Sequence, residues 1–121
     1  MAKTNLKPSN KKTMAQQADR HHLYQQSVQC PEAEIDFVEE QFKLIRDRKA
    51  RVLREDFCGT AYTACEWIKR HKNNLAFGID LDGEVLDWGR EHNVGKLSKE
   101  QQSRISLMKA NVLDAETPPV D

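Results

Sequence analysis

From residue 31 onward, apolar positions alternate between helical stripes and short extended blocks. Ile35, Val38, Phe42 and Ile45 recur at helical spacing, which predicts a helix lying against the domain through that stripe. Pro31 suits its first turn, Glu32 and Glu34 complement the positive end of its dipole, and Arg46, Arg48 and Lys49 the negative end. Residues 51–55 read as a short strand, followed at 60–71 by a helix whose inward stripe is Ala61, Ala64, Cys65 and Ile68. A second strand follows at 75–80. Asp82 is placed to cap a third helix running to about Asn93, with Val85, Trp88, Gly89 and His92 along one face and Gly95 as its stop. Ser98 and Gln101 have capping-box spacing for a short turn, and residues 105–110 complete a third strand. Strands that alternate with helices predict an α/β chain built on a parallel sheet with right-handed crossovers and helices on both faces.

Composition bounds the partners. Nineteen basic and nineteen acidic side chains balance, so no overall field favours nucleic acid or an anionic membrane. No apolar run approaches the ~20 residues that span a bilayer. Cys30, Cys58 and Cys65 are odd in number and lack metal-type spacing, which fits reduced thiols and a cytoplasmic setting. Residues 1–18 carry Lys3, Lys7, Lys11 and Lys12 without an acid and are expected to form a flexible basic tail. Residues 19–50 form an N-terminal helical segment in this reading, and 51–121 a cofactor-binding domain. The adjacent His21 and His22 cannot share a helix face, and no metal site is expected from them or elsewhere.

The candidate chemistry lies in Val52-Leu53-Arg54-Glu55-Asp56-Phe57-Cys58-Gly59-Thr60-Ala61 and in Gly78-Ile79-Asp80-Leu81-Asp82. A strand ending in an acid, a tight glycine turn, a helix and a second acid-ended strand make the layout of a nucleoside-binding βαβ unit. Gly59 lets the backbone turn sharply and approach a ligand, while the following helix N-terminus offers free amides to a carboxylate. Glu55 beside that turn attracts a cation and disfavours a pyrophosphate. With no G-x-G-x-x-G present, a dinucleotide oxidoreductase is the weaker alternative. Asp80 is suited to a ribose diol; Asp82 is assigned first to helix capping.

These residues resemble the first motif of class I S-adenosylmethionine-dependent methyltransferases, a likeness that covers residues 51–121. Glu55, Cys58, Gly59 and Thr60 match that motif, whereas Phe57 and Ala61 stand at two positions where the family usually has glycine. The segment Ala110-Asn111-Val112-Leu113-Asp114 is similar to the part of the family that reads adenine, with the Asn111 carbonyl facing the exocyclic amine, the Val112 amide a ring nitrogen, and Leu81 packing on the base. The alternative for Asn111 is that it satisfies only its own loop. The resemblance therefore implies S-adenosyl-L-methionine as cofactor, a Rossmann-like fold, and a site of Glu55, Phe57, Cys58, Gly59, Thr60, Asp80, Leu81, Asn111 and Val112. It names no catalytic residue and no methyl acceptor. It implies a seven-stranded sheet ordered three, two, one, then four onward, of which this chain carries the first three strands, stopping at Pro118-Pro119-Val120-Asp121. The expectation is a truncated fold whose first strand has an unpaired edge, open to homo-oligomerisation, or a non-catalytic assembly module. Cys58 is read as a packed loop residue rather than a nucleophile, and Trp67 and Trp88 as packing residues. Arg54, inside a short inner strand, must reach the sheet end or pair with an acid, for which the N-terminal helices are one source.

Overall fold

The computed structural model describes Arg20 and residues 30–121. The expectations for the basic tail and for His21 and His22 lie outside these residues. Helix α1 (Pro31–Arg46) is followed by β1 (Val52–Asp56), α2 (Tyr62–Arg70), β2 (Leu75–Asp80), α3 (Gly83–His92), a 3-10 turn (Val94–Lys96), the single turn α4 (Lys99–Gln102) and β3 (Ile105–Lys109). The strands form one parallel sheet in the order β1-β2-β3, with Val52 opposite Leu75 and Ala76 opposite Ile105.

The core lies where α2 meets the sheet. Ala61, Ala64, Cys65 and Ile68 are all buried, as the stripe predicts, and Trp67 joins them. The Trp67 indole N–H finds the carbonyls of Leu75 at 3.0 Å and Arg51 at 3.3 Å, which satisfies its one polar atom inside the core. Arg104 closes the far end of α2 by donating from Nη1 to the carbonyl of Ile68 in its last turn, where a helix leaves carbonyls unpaired, and to those of His71 and Asn74 in the loop that follows. Gly78 in the central strand allows close packing: a Cβ there would stand 2.8 Å from Leu107 and 2.9 Å from Cys58 Sγ.

Three expectations are corrected. The α1 stripe does not seat along its length: Ile35 is buried and Phe42 half-buried, but Val38 is 44% and Ile45 75% exposed. Helix α1 has 16 residues and α2 has 9; at about 3.6 residues per turn, α1 is longer than its partner by roughly two turns. It also ends before Arg48 and Lys49, because Asp47 turns left-handed (φ 56°) and returns its N–H to the Lys43 carbonyl. In α3 the fully buried side chain is Leu86, which with Gly89 forms the inward edge, while Trp88 and His92 stack on each other at 4.2 Å.

The outer edge of β1 is not bare at its start. Asp121 lies alongside it, donating its N–H to the Val52 carbonyl at 2.9 Å and accepting the N–H groups of Arg51 and Val52 on Oδ2 at 2.6 and 3.0 Å. Beyond Val52 no strand lies beside that edge among the described residues.

Candidate functional site

Because the three strands are parallel, their C-terminal ends at Asp56, Asp80 and Lys109 meet on one edge, the side on which open α/β sheets take ligands. The β1–α2 turn is fastened there from several sides. Cys58 donates its N–H to Ile79 O at 2.9 Å, Ala61 to Cys58 O at 2.9 Å, and Gly59 to the Asp80 carboxylate at 2.9 Å. The Thr60 carbonyl accepts Asn93 Nδ2 at 2.9 Å and packs against Gly89, where any Cβ would overlap it. Gly89 thereby brings α3 onto the turn, a role its place on the helix face only hinted at.

Within the turn the backbone passes through the left-handed region at alternate residues: φ is 57° at Phe57, 57° at Gly59 and 63° at Ala61. These are the positions at which the resembled motif carries glycine, so the glycine-type path is kept although two of its three positions bear side chains. Over Gly59 the space is open; a Cβ there would touch only Val85 Cγ1, at 4.0 Å. Cys58 and Thr60 have buried side chains and present only backbone to this space, whereas Phe57 is 72% exposed and Leu81 and Leu113 stand exposed on the same set of strand ends.

The carboxylates divide by face. Asp80 accepts Gly59 N–H on Oδ2 and Asp82 N–H on Oδ1, each at 2.9 Å, which leaves further lone pairs on both oxygens. Asp82 caps α3 by accepting the N–H groups of Glu84 and Val85. Glu55 points to the opposite face of β1 from Asp56, against α2, and its Oε1 is buried with no hydrogen-bond partner among the described residues. Burial first, then the charge of Glu34 on α1, pushes its carboxyl up to about 7, opposed by the Ala64 N–H. Burial, with Glu55 and Asp80 nearby, pushes the Cys58 thiol up to about 12, which removes it as a nucleophile at neutral pH.

After β3, Ala110 donates its N–H to Asp80 O at 3.0 Å, joining the third strand end to the second. Asn111 Oδ1 accepts Leu113 N–H at 2.9 Å, so its side chain closes its own loop. Arg54 reaches this loop and Asp56 rather than the N-terminal helices, donating to the carbonyls of Val112 and Ala115. Arg54 thus both reaches the sheet end and pairs with an acid, as its place inside a strand requires, although its acid is Asp56 on its own strand and its carbonyl partners and the exposed Leu113 carry no signal in the sequence. The sequence-predicted residues thus gather on one edge, with Gly59 and Asp80 in direct contact. A separate cavity of about 600 Å³ lies where α1 and α2 begin, with Glu32, Asp36, Tyr62 and Glu66 in its wall, and it touches none of them. Among the described residues no group of His, Cys, Asp or Glu could hold a metal, and no helix is long and apolar enough to cross a membrane.

Solved structures share this fold. The methyltransferase domain of bacterial CtHen1-CN superposes with a TM-score of 0.53 at 21% identity, over 66% of this chain and 40% of that one. The plantazolicin methyltransferase BpumL, in complex with a triazolic desmethylPZN analogue and SAH, superposes with a TM-score of 0.63 at 10% identity, over 84% of this chain and 36% of that one. The likeness lies in the fold, a parallel sheet with helices that these methyltransferase structures contain as a part. The chain spans at most 40% of the length of these two structures. No protein-family model matches the sequence, and no curated protein does.

Proposed function

We propose that the strand ends bind S-adenosylmethionine and that the chain is the cofactor-binding part of a methyltransferase. The observation that carries this reading is the direct bond between the turn glycine and the acid of the next strand, Gly59 N–H to Asp80, on an edge that is both acidic and apolar. BpumL, which shares the fold, holds SAH.

The donor set fits the group. S-adenosylmethionine supplies a methyl group on a sulfonium, together with an ammonium, a carboxylate, a ribose and an adenine. Gly59, with open space above it, and the backbone of Cys58 and Thr60 leading into α2 receive the carboxylate end. The orphaned Oε1 of Glu55 offers a charge-assisted acceptor to an ammonium, which would end its lack of a partner. Asp80 keeps lone pairs for a ribose diol, and the exposed Phe57 and Leu81 flank a base addressed by the Val112 amide and by the second lone pair of Asn111 Oδ1, beside the one that Leu113 N–H occupies. Carboxylates at the turn repel a pyrophosphate, which argues against a nicotinamide dinucleotide. Two buried thiols and one exposed thiol, all free, accord with a reducing compartment such as the cytoplasm. The remainder of β1's edge, beside Arg54 and Asp56, is the place where a second copy of the chain would add a strand.

Isothermal titration with S-adenosylhomocysteine tests the reading. Wild type is expected to bind, and Asp80→Asn, which keeps the side chain's shape but not its charge, to bind at least about tenfold more weakly. A folded wild type that gives no heat, or that prefers NADH, would refute it.

A further inference from the structure

We propose that Arg54 is the positioning residue that shapes the turn after β3 and so sets the site's preference for adenine over other purines; this rests on reading the strand ends as an adenosyl site. The Arg54 guanidinium makes three bonds: Nε to Asp56 Oδ1 at 2.7 Å, Nη2 to Val112 O at 2.8 Å and Nη1 to Ala115 O at 3.1 Å. Strand β2 separates β1 from β3, so this side chain ties the end of the sheet together across its central strand. A planar fork presents donors to two carbonyls at once, and Asp56 fixes its rotation; a lysine ammonium on a flexible stem cannot do both.

The bridge acts on one peptide group. The Val112 carbonyl goes to Arg54, while the N–H of the same peptide, that of Leu113, goes to Asn111 Oδ1. The Val112–Leu113 peptide is thus held at both its oxygen and its nitrogen. Asp114 and Ala115 then close the turn by donating their N–H groups to Asn111 O at 3.0 and 2.9 Å. Among the described residues the Val112 N–H has no acceptor; it belongs to the Asn111–Val112 peptide, whose oxygen Asp114 and Ala115 hold, while Arg54 holds the peptide that follows, so the bonded peptides on either side of Val112 fix its direction. An amide donor there accepts adenine, whose N1 is an acceptor, and rejects hypoxanthine, whose N1 carries a proton.

The test pairs S-adenosylhomocysteine with S-inosylhomocysteine in titrations of wild type, Arg54→Met and Arg54→Lys, alongside amide exchange without ligand. Wild type is expected to prefer the adenosyl compound by at least about tenfold. Arg54→Met should bring that ratio close to one, chiefly by weakening the adenosyl compound, and Arg54→Lys should not restore it. The Asp114 and Ala115 amides should exchange about tenfold faster in both variants while those of Ala76 and Ile79 keep their protection. Should Arg54→Met not fold, the lysine variant carries both readouts. An unchanged ratio in a folded variant, or unchanged exchange at Asp114 and Ala115, overturns the role of Arg54 and leaves the cofactor reading standing. Wild type that binds neither compound overturns the cofactor reading itself, and this inference with it.

Discussion

Gly59 and Asp80 are joined by a 2.9 Å hydrogen bond from backbone amide to carboxylate, so the residue best placed for a ribose also holds the turn in shape. Asp80 serves two amides, those of Gly59 and Asp82. Asp80→Ala leaves both without an acceptor and is expected to lower unfolding stability by about 2 kcal/mol without any ligand. Asp80→Asn keeps one acceptor oxygen and should cost about half as much. Urea denaturation measures both; an alanine variant as stable as wild type would show that the carboxylate does not anchor the turn.

Phe57 and Ala61 share the left-handed backbone but not the same balance of forces. Each non-glycine residue held there costs about 1–2 kcal/mol. At exposed Phe57 glycine relieves that strain and gives back only about 0.4–1 kcal/mol in chain entropy. Phe57→Gly should therefore melt several degrees higher than wild type while, on the proposed site, binding S-adenosylhomocysteine more weakly for want of the ring proposed to flank the base. Ala61 is fully buried, so glycine there also uncovers a methyl worth about 0.8 kcal/mol and should be near neutral. Ala61→Val, β-branched in the same conformation, should lose more than about 2 kcal/mol. Thermal melts of the three variants decide the order.

The contrast between Phe57 and Gly59 also marks what the sequence could tell. Strand ends and helix caps rest on local signals: Asp82 caps α3 and Ser98 with Gln101 forms a capping box because each bonds a neighbour within three residues. The site's backbone path was hidden, since Phe57 and Ala61 do not announce a left-handed conformation imposed by the bonds of Gly59 to Asp80 and of Thr60 to Asn93. Contacts at long separation were hidden too. Arg54 finds its partners 58 and 61 residues away, and α1's stripe was misjudged because periodicity gives a face but not the length of the helix that will cover it.

Glu55 makes stability and binding depend on pH in opposite senses. Its carboxyl rises from 4.5 to about 7 through burial, with Glu34 adding repulsion. Between those values the folded state binds more protons than the unfolded one, so stability falls as pH rises from about 4.5 to 7 and stays lower above. At about 1.4 kcal/mol per pH unit the total is on the order of 3 kcal/mol. Glu55→Gln should remove this slope and be the more stable protein at pH 8. An ammonium beside Glu55 favours the carboxylate, so wild-type affinity for S-adenosylhomocysteine should rise towards pH 7 with proton release, and the glutamine variant should show neither. Denaturation and titration calorimetry from pH 5 to 8 follow both; parallel pH profiles in the two proteins would contradict this.

The three thiols should separate by burial. Cys30 is exposed, while Cys58 and Cys65 are buried with thiols pushed up to about 12, by desolvation before any charge. One equivalent of iodoacetamide is therefore expected to react quickly at pH 8, and mass spectrometry should place it on Cys30. The other two should react only at the rate of opening. Rapid labelling of Cys58 in the native protein would mean that the turn is far more open than its bonds to Ile79 and Asp80 imply.

Asp121 closes the start of β1's edge, and its carboxyl shows how. The Arg48 guanidinium at 2.9 Å, then the amides of Arg51 and Val52, hold it down at about 2. A carboxyl depressed in the folded state stabilises above its unfolded value of 3.8 and loses that contribution as pH falls through about 2. Arg48 is largely exposed and screened, so the contribution at pH 7 is on the order of 1 kcal/mol rather than the full electrostatic figure. Asp121→Asn should lower the melting temperature by a few degrees at pH 7, with the gap to wild type closing towards pH 2. Added salt should shrink the Arg48 part but not the backbone part, because the two amides are neutral donors. Arg48→Ala is therefore the smaller loss of the two. If it costs as much as Asp121→Asn, the ion pair rather than the backbone clasp holds the chain against β1.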